Sequence, residues 1–304
     1  MKTLFWFRQD LRINDNHGLT AALKNSSQIL PVFIIDTKLL QQFWWLQDVR
    51  LGFIKDSLIN LQQQLQTINL NLLVLVGDPE ELVPSLVREH SIEQVYINKS
   101  YDSYGVGRDL RVRLVLREIG VQMHVENDYL LVAPEVLKPY QIFSPYARAW
   151  EKVVNSEGYQ LPSDNVALLF PSRDISQTTQ KSFDQIQSSH LYRTFQDPLK
   201  ILKNFDFKNY DKKRNLLSTG GTSKISPYLR FGVISSRQLY HFAHQANNQT
   251  FKKELARREF RYQLSYHFSE SLVQSFQAKR RGIQRDNDSK LFDAFCQGKT
   301  WYPI

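Results

Sequence analysis

Phe5-Trp6-Phe7-Arg8-Gln9-Asp10-Leu11-Arg12-Ile13-Asn14-Asp15-Asn16 passes from an apolar run to a charged one within a few residues. Leu4-Phe5-Trp6-Phe7 contains no polar side chain, which suits a strand buried on both faces rather than one alternating between core and water. The charged residues after it then fall at the carboxyl end of that strand, where open α/β sheets form their ligand crevice. Residues 29–35, 72–76, 94–97 and 121–125 are further short runs of the same kind, completing a set of five.

Helical patterns lie between the runs. Residues 46–67 carry Leu51, Ile54, Leu58, Leu61 and Leu65 at helical spacing. Gly77-Asp78-Pro79 reads as a strand end, an N-cap and a proline at the first helical position. Residues 107–119 alternate basic and apolar side chains with a helical period. The alternation predicts an α/β N-terminal domain over residues 1–130, a five-stranded doubly wound parallel sheet. Residues 131–190, with Pro134, Pro139, Pro145, Pro162 and Pro171 among many polar residues, read as a connector, part ordered and part loop. Residues 191–304 turn helical, basic and aromatic, and no internal repeat is visible.

Charge follows that division. The chain of 304 residues has a net charge of +9, yet residues 191–304 hold 21 Lys and Arg against 9 Asp and Glu. The excess therefore lies wholly in the C-terminal part, as expected for a domain that meets a phosphate-rich partner or simply presents a solvated basic surface. No apolar run has the length that spans a bilayer. With only Met1-Lys2-Thr3 ahead of the first run, no signal peptide is expected, and the lone Cys296 forms no internal disulfide and reads as a small buried residue. A soluble, cytoplasmic monomer without membrane contact is expected. No Cys/His spacing suggests zinc, so no metal site is expected, and His267 reads as a packed histidine.

Two later segments carry chemistry. Gly221-Thr222-Ser223-Lys224-Ile225-Ser226-Pro227-Tyr228-Leu229-Arg230-Phe231-Gly232 offers bare backbone N–H groups and hydroxyls ahead of a helix, a suitable cradle for phosphate. A lone Gly-Thr-Ser is more often an ordinary capped turn. Phe251-Lys252-Lys253-Glu254-Leu255-Ala256-Arg257-Arg258-Glu259-Phe260-Arg261-Tyr262 reads as a helix of basic residues around two carboxylates; on its own it could be a solvated face with i,i+4 ion pairs.

Taken with the opening string, these segments resemble the DNA photolyase/cryptochrome family of flavoproteins. The opening aromatic-Arg-x-Asp-Leu-Arg with Asp15-Asn16 is similar to the family's first signature. Residues 101–109 resemble its antenna-side loop, and Phe143-Ser144-Pro145-Tyr146 with Trp150 resembles the turn leading out of its first domain. The Thr222 to Ser226 string resembles the family's flavin motif. The resemblance implies that Tyr210, Thr222, Ser223, Lys224, Ile225, Ser226 and Arg258 hold FAD. It implies that Arg214, Glu254, Arg257, Arg258 and Arg261 meet DNA, with Glu254 as the catalytic carboxylate that hydrogen-bonds the lesion. The implied reaction is blue-light-driven, FAD-dependent splitting of cyclobutane pyrimidine dimers in UV-damaged DNA. An antenna chromophore, deazaflavin or folate, is open: Tyr104-Gly105 stands where a folate site would have Asn-Glu.

The chain also departs from the pattern. Arg257 takes the place of the family's lesion-stacking tryptophan, Arg285 that of a relay tryptophan, and Trp301 that of a glycine. The family pattern continues past Ile304, so an incomplete all-helical flavin-binding domain over residues 191–304 is expected. A degenerate, non-catalytic remnant and a cryptochrome-like light sensor are therefore alternatives to a photolyase.

Overall fold

The computed structural model describes residues 1–42, 47–156, 176–184, 195–275, 277–284 and 286–300. Each of the five apolar runs is a strand: β1 (Lys2–Phe7), β2 (Gln28–Asp36), β3 (Leu73–Gly77), β4 (Gln94–Asn98) and β5 (Gln122–Glu126). They form one sheet in the order β3-β2-β1-β4-β5, with every pairing parallel. Around it lie α1 (His17–Lys24), α2 (Thr37–Gln42), α3 (Gln47–Gln66), α4 (Pro79–Glu89) and α5 (Ser103–Glu118).

The continuous apolar character of β1 has a direct cause. Phe5 and Phe7 enter one core with Leu58, Leu61 and Leu65 of α3, while Leu4 and Trp6 enter a second core with Val83, Leu86, Val112 and Leu116 of α4 and α5. A strand covered on both faces has no solvent side for polar residues to occupy. Asp78 caps α4 by accepting from the Glu80 N–H, with Pro79 at the first helical position as expected. Helix α5 starts four residues before the periodic pattern, because Asp102 accepts from the Gly105 N–H and recruits the glycine-containing turn.

The connector is more helical than its prolines suggested. Phe143 to Trp150 belongs to α6 (Phe143–Ser156) rather than a turn, since Pro145 sits in the first turn, where its missing N–H leaves no bond unmade. Helix α7 (Ser176–Asp184) closes the β3 edge: Thr179 Oγ1 donates to Leu72 O at 2.8 Å, and Ser182 Oγ donates to Val74 O at 2.6 Å.

The basic part folds into α8 (Pro198–Lys203), α9 (Tyr210–Lys213), α10 (Ser226–Arg230), α11 (Ser236–Gln245), α12 (Gln249–His267) and α13 (Ser289–Cys296). Tyr228, Leu239, Tyr240 and Leu255 share the core of Phe5 and Phe7, so the helices pack directly against one side of the sheet domain. Cys296 corrects the expectation of burial: it is exposed, and α13 has no buried residue because nothing described covers its apolar face. His267 accepts the packed reading, with Nε2 at 3.0 Å from Pro134 O. No described helix is long and apolar enough to cross a membrane.

The charged string after β1 is the clasp between the two parts. Arg12 Nη2 donates to both Asp128 carboxylate oxygens, at 2.8 and 2.6 Å, and its Nη1 donates to Gly232 O at 3.1 Å. Arg237, from the first turn of α11, donates through Nε to Asp15 at 2.9 and 3.0 Å and through Nη2 to Asp128 Oδ1 at 2.7 Å. Ser235 Oγ donates to the Asp15 carboxylate. All of these side chains are buried, and the two positive charges balance the two negative ones. Gly232 lies in the left-handed region at φ +66°, where an added Cβ would overlap the Gln9 carbonyl.

Burial alone would raise the Asp128 carboxyl, but Arg12, Arg237 and the His17 N–H outweigh it and hold it at about 2. A carboxylate depressed in the folded chain contributes stability above its unfolded value, and that contribution is lost as pH falls through the folded value. We therefore expect up to about 2 kcal/mol to disappear between roughly pH 4 and pH 2. Urea midpoints across this range check it; the acid slope should shrink in Asp128→Asn.

Candidate functional site

The two later motifs meet through α9. Tyr210 at its start is buried against Phe205 and Phe251, with ring centroids 5.9 and 5.1 Å away. That anchor directs Arg214, one turn on, to α12: Arg214 Nη1 donates to Glu254 Oε1 at 2.6 Å. Arg257 approaches the other oxygen, with Nε at 3.7 Å from Glu254 Oε2. The Arg257 guanidinium also lies over Phe143 of α6, 4.5 Å from the ring centroid. Glu254 is thus held between two cations at a half-exposed rim. The pairs are too solvated to add much stability, but they fix where the carboxylate sits. The Glu254 hydrogen bond is also the main cause that raises Arg214 above its ordinary value.

The Gly221 loop closes on the same helix. A Cβ at Gly221 would overlap the Lys213 backbone, and Thr219 Oγ1 donates to Lys213 O at 3.3 Å. Lys224 takes the left-handed conformation at φ +53°, unusual for a residue with a side chain. Thr222, Lys224 and Ser226 are exposed and Ser223 half-buried. Among the described residues none of their side chains has a hydrogen-bond partner. Ile225 differs from the rest of the string: its side chain is buried in the core, leaving only backbone for a ligand. Bare backbone, three unused hydroxyls and a lysine form a donor set that fits the phosphates of a dinucleotide.

Arg258 is not part of this group. Its guanidinium stacks over Tyr129, 4.3 Å from the ring centroid, and Nη1 donates to Ser236 Oγ at 3.2 Å. It therefore sits at the boundary with the sheet domain, because Tyr129 there offers an aromatic face and a backbone carbonyl. Its Nη2 is buried with no hydrogen-bond partner, so one donor stays unused. Tyr129 OH lies 3.1 Å from Tyr262 OH. Burial pushes the Tyr129 phenol up, but Arg258 and Arg230 outweigh it and leave it below its usual value. Arg261 is exposed, and its side chain is unpaired among the described residues.

Glu259 is a buried carboxylate on the apolar stripe of α12 that the motif reading passes over. It is buried, with Oε1 accepting from the Leu131 N–H at 2.6 Å and Oε2 from the Val132 N–H at 3.0 Å and Trp150 Nε1 at 2.6 Å. Burial pushes it above its usual value despite Arg258 and these donors. A signal was present: Glu259 falls four and eight residues after Leu255 and Phe251, on the buried stripe of α12, and no basic side chain lies three or four positions from it. The antenna-side loop is likewise filled by its own contacts. Tyr104 OH donates to Asp36 at 2.6 Å, Arg108 lies 4.8 Å from the Trp6 ring centroid, and Asp109 meets Arg8 at 2.7 Å. Arg285 and Trp301 lie outside the described residues. No group of metal-ligating side chains occurs among the described residues.

A parallel sheet of this order, clasped to helices that carry a phosphate-type loop, is the architecture of photolyases and cryptochromes. The archaeal photolyase of Sulfolobus tokodaii, solved with two FAD molecules, superposes with a TM-score of 0.84 at 27% identity, over 99% of this chain and 68% of that one. The family model for DNA photolyase matches residues 3–167, and the chain belongs to that family. A deoxyribodipyrimidine photo-lyase from Synechococcus is 29% identical over 99% of this chain and 68% of its own length. A cryptochrome DASH of Arabidopsis thaliana is 27% identical, over 99% of this chain and 59% of its own length. The chain thus spans about two thirds of the length of the photolyases and less of the cryptochrome.

Proposed function

We propose that this chain is a photolyase-type flavoprotein acting on UV-damaged DNA. The observation that carries the reading is the convergence of Tyr210, Arg214, the Gly221 loop and Glu254, segments some forty residues apart, on one rim. FAD would be held by Tyr210, Thr222, Ser223, Lys224, Ser226 and the Ile225 backbone, and Arg258 would join them only by turning its buried guanidinium away from Tyr129. When bound, FAD supplies the light-excited electron donor for splitting a cyclobutane pyrimidine dimer. The chain's own residues bind and orient. Arg214, Arg257 and Arg261 take DNA phosphates, which makes binding salt-dependent. Glu254, fixed by Arg214, presents its second oxygen to a flipped base. Residues 1–130 are the sheet domain in this reading, 131–190 the connector and 191–304 the flavin and DNA part; the protein is a cytoplasmic monomer.

The visible spectrum after adding FAD and desalting tests the first step. We expect a retained flavin band, and its loss in Gly221→Val with far-UV circular dichroism unchanged. A colourless wild-type chain rejects the reading. One observation favours a second reading, a flavoprotein without repair activity: Arg257 stands on Phe143 where the family pattern has a tryptophan, so the lesion lacks its indole plate. Flavin retention without dimer splitting under blue light would select it.

A further inference from the structure

We propose that the outer face of α5 is a docking surface for an acidic amphipathic helix of a partner protein. The inference is independent of the flavin reading. A surface helix normally turns its apolar stripe inward and its polar residues outward. Helix α5 does the first: Gly105, Arg108, Val112 and Leu116 are buried toward the sheet. It does not do the second. Val106, Leu110 and Leu114 are 47%, 55% and 51% exposed. Spaced four residues apart, they lie within about 80° of arc and form one aliphatic row along the solvent side. Single exposed leucines are ordinary, whereas a continuous row rimmed by charge marks a contact surface.

The rim is positive. Arg117 lies between the aliphatic residues, and Arg113 on one flank; both are exposed and neither has an acidic partner among the described residues. Arg111 on the other flank is engaged with Glu80 at 2.7 Å, and Asp109 with Arg8 and Arg108. Glu118 is the one exposed acid on this helix. These cations do not follow from overall composition, since residues 1–190 carry more acidic than basic residues. A helix of opposite pattern, leucines along one face and glutamates beside them, covers the row and neutralises both arginines. A second copy fits less well, because pairing α5 with itself would gather four unpaired arginines against two glutamates.

The test uses the full chain and two labelled helical peptides of roughly 18 residues. They share one leucine face and differ in carrying Glu or Lys beside it. Fluorescence anisotropy should show the Glu peptide binding at least about tenfold more tightly than the Lys peptide, with affinity falling as salt rises. Arg113→Glu/Arg117→Glu should reverse the preference, and Leu110→Ser/Leu114→Ser should abolish binding with the thermal unfolding curve unchanged. Equal binding of the two peptides, no binding, or binding indifferent to these substitutions overturns the proposal. So does a concentration-dependent dimer in sedimentation that Leu110→Ser/Leu114→Ser dissolves, which would make a second copy the occupant.

Discussion

Arg237→Ala is expected to lower the unfolding free energy by about 3–5 kcal/mol, the usual cost of removing one partner from a buried charge pair. Arg237 is 5% exposed, and it bridges Asp15 of the β1 loop to Asp128 beyond β5 while belonging to α11. Truncation leaves Asp15 buried with only the Ser235 hydroxyl as a side-chain partner, and leaves Asp128 with Arg12 and the His17 N–H. The loss should be measured as a fall in urea midpoint. Arg237→Lys should recover less than half of it, since one ammonium cannot span two carboxylates as the guanidinium fork does. If Arg237→Ala costs under about 1 kcal/mol, the clasp does not join the sheet to the helices.

Glu259→Ala is expected to cost a similar amount for a different reason. The side chain is the acceptor for three buried donors, the Leu131 and Val132 N–H groups and the Trp150 indole. Each donor left unsatisfied costs about 1–3 kcal/mol. Glu259→Gln separates hydrogen bonding from charge. Its oxygen can still serve Val132 and Trp150, but its amide then faces the Leu131 N–H, donor to donor, so a cost of about 2 kcal/mol is expected. The raised carboxyl adds a pH signature. A group whose folded value is raised is least unfavourable when protonated, so its stability penalty grows as pH climbs through its unfolded value to the folded one. The penalty vanishes in the glutamine variant. Stability curves of wild type and Glu259→Gln between pH 4 and 7 should therefore converge as pH rises; parallel curves would mean the carboxyl is not raised.

The sheet domain was legible because burial on both faces leaves a local mark. Apolar runs such as Leu4-Phe5-Trp6-Phe7 and the Asp78-Pro79 cap are chemistry between residues adjacent in the chain. Helix α6 was not, since Pro145 reads as a break wherever it stands, and only its place in the first turn makes it compatible with a helix. In the candidate site, residue types and motif strings pointed to Arg214, Glu254 and the Gly221 loop. The pairing of Arg214 with Glu254, forty residues apart, has no local trace. For Arg258 the motif points to a cofactor, and the structure adds Tyr129 and Ser236, which hold its guanidinium at the domain boundary.

By itself the sequence determined the five strands, the start of α4 at Pro79, the segregation of positive charge to residues 191–304 and the family resemblance, all of which are properties of neighbouring residues or of composition. Only the tertiary structure decided what the charged residues after β1 do. Arg12 and Asp15 look like residues lining a ligand crevice until Gly232 and Arg237, about 220 positions later, are brought against them. A buried ion pair is settled by which partners remove each charge from water, and partners so distant in the chain meet only when the fold closes.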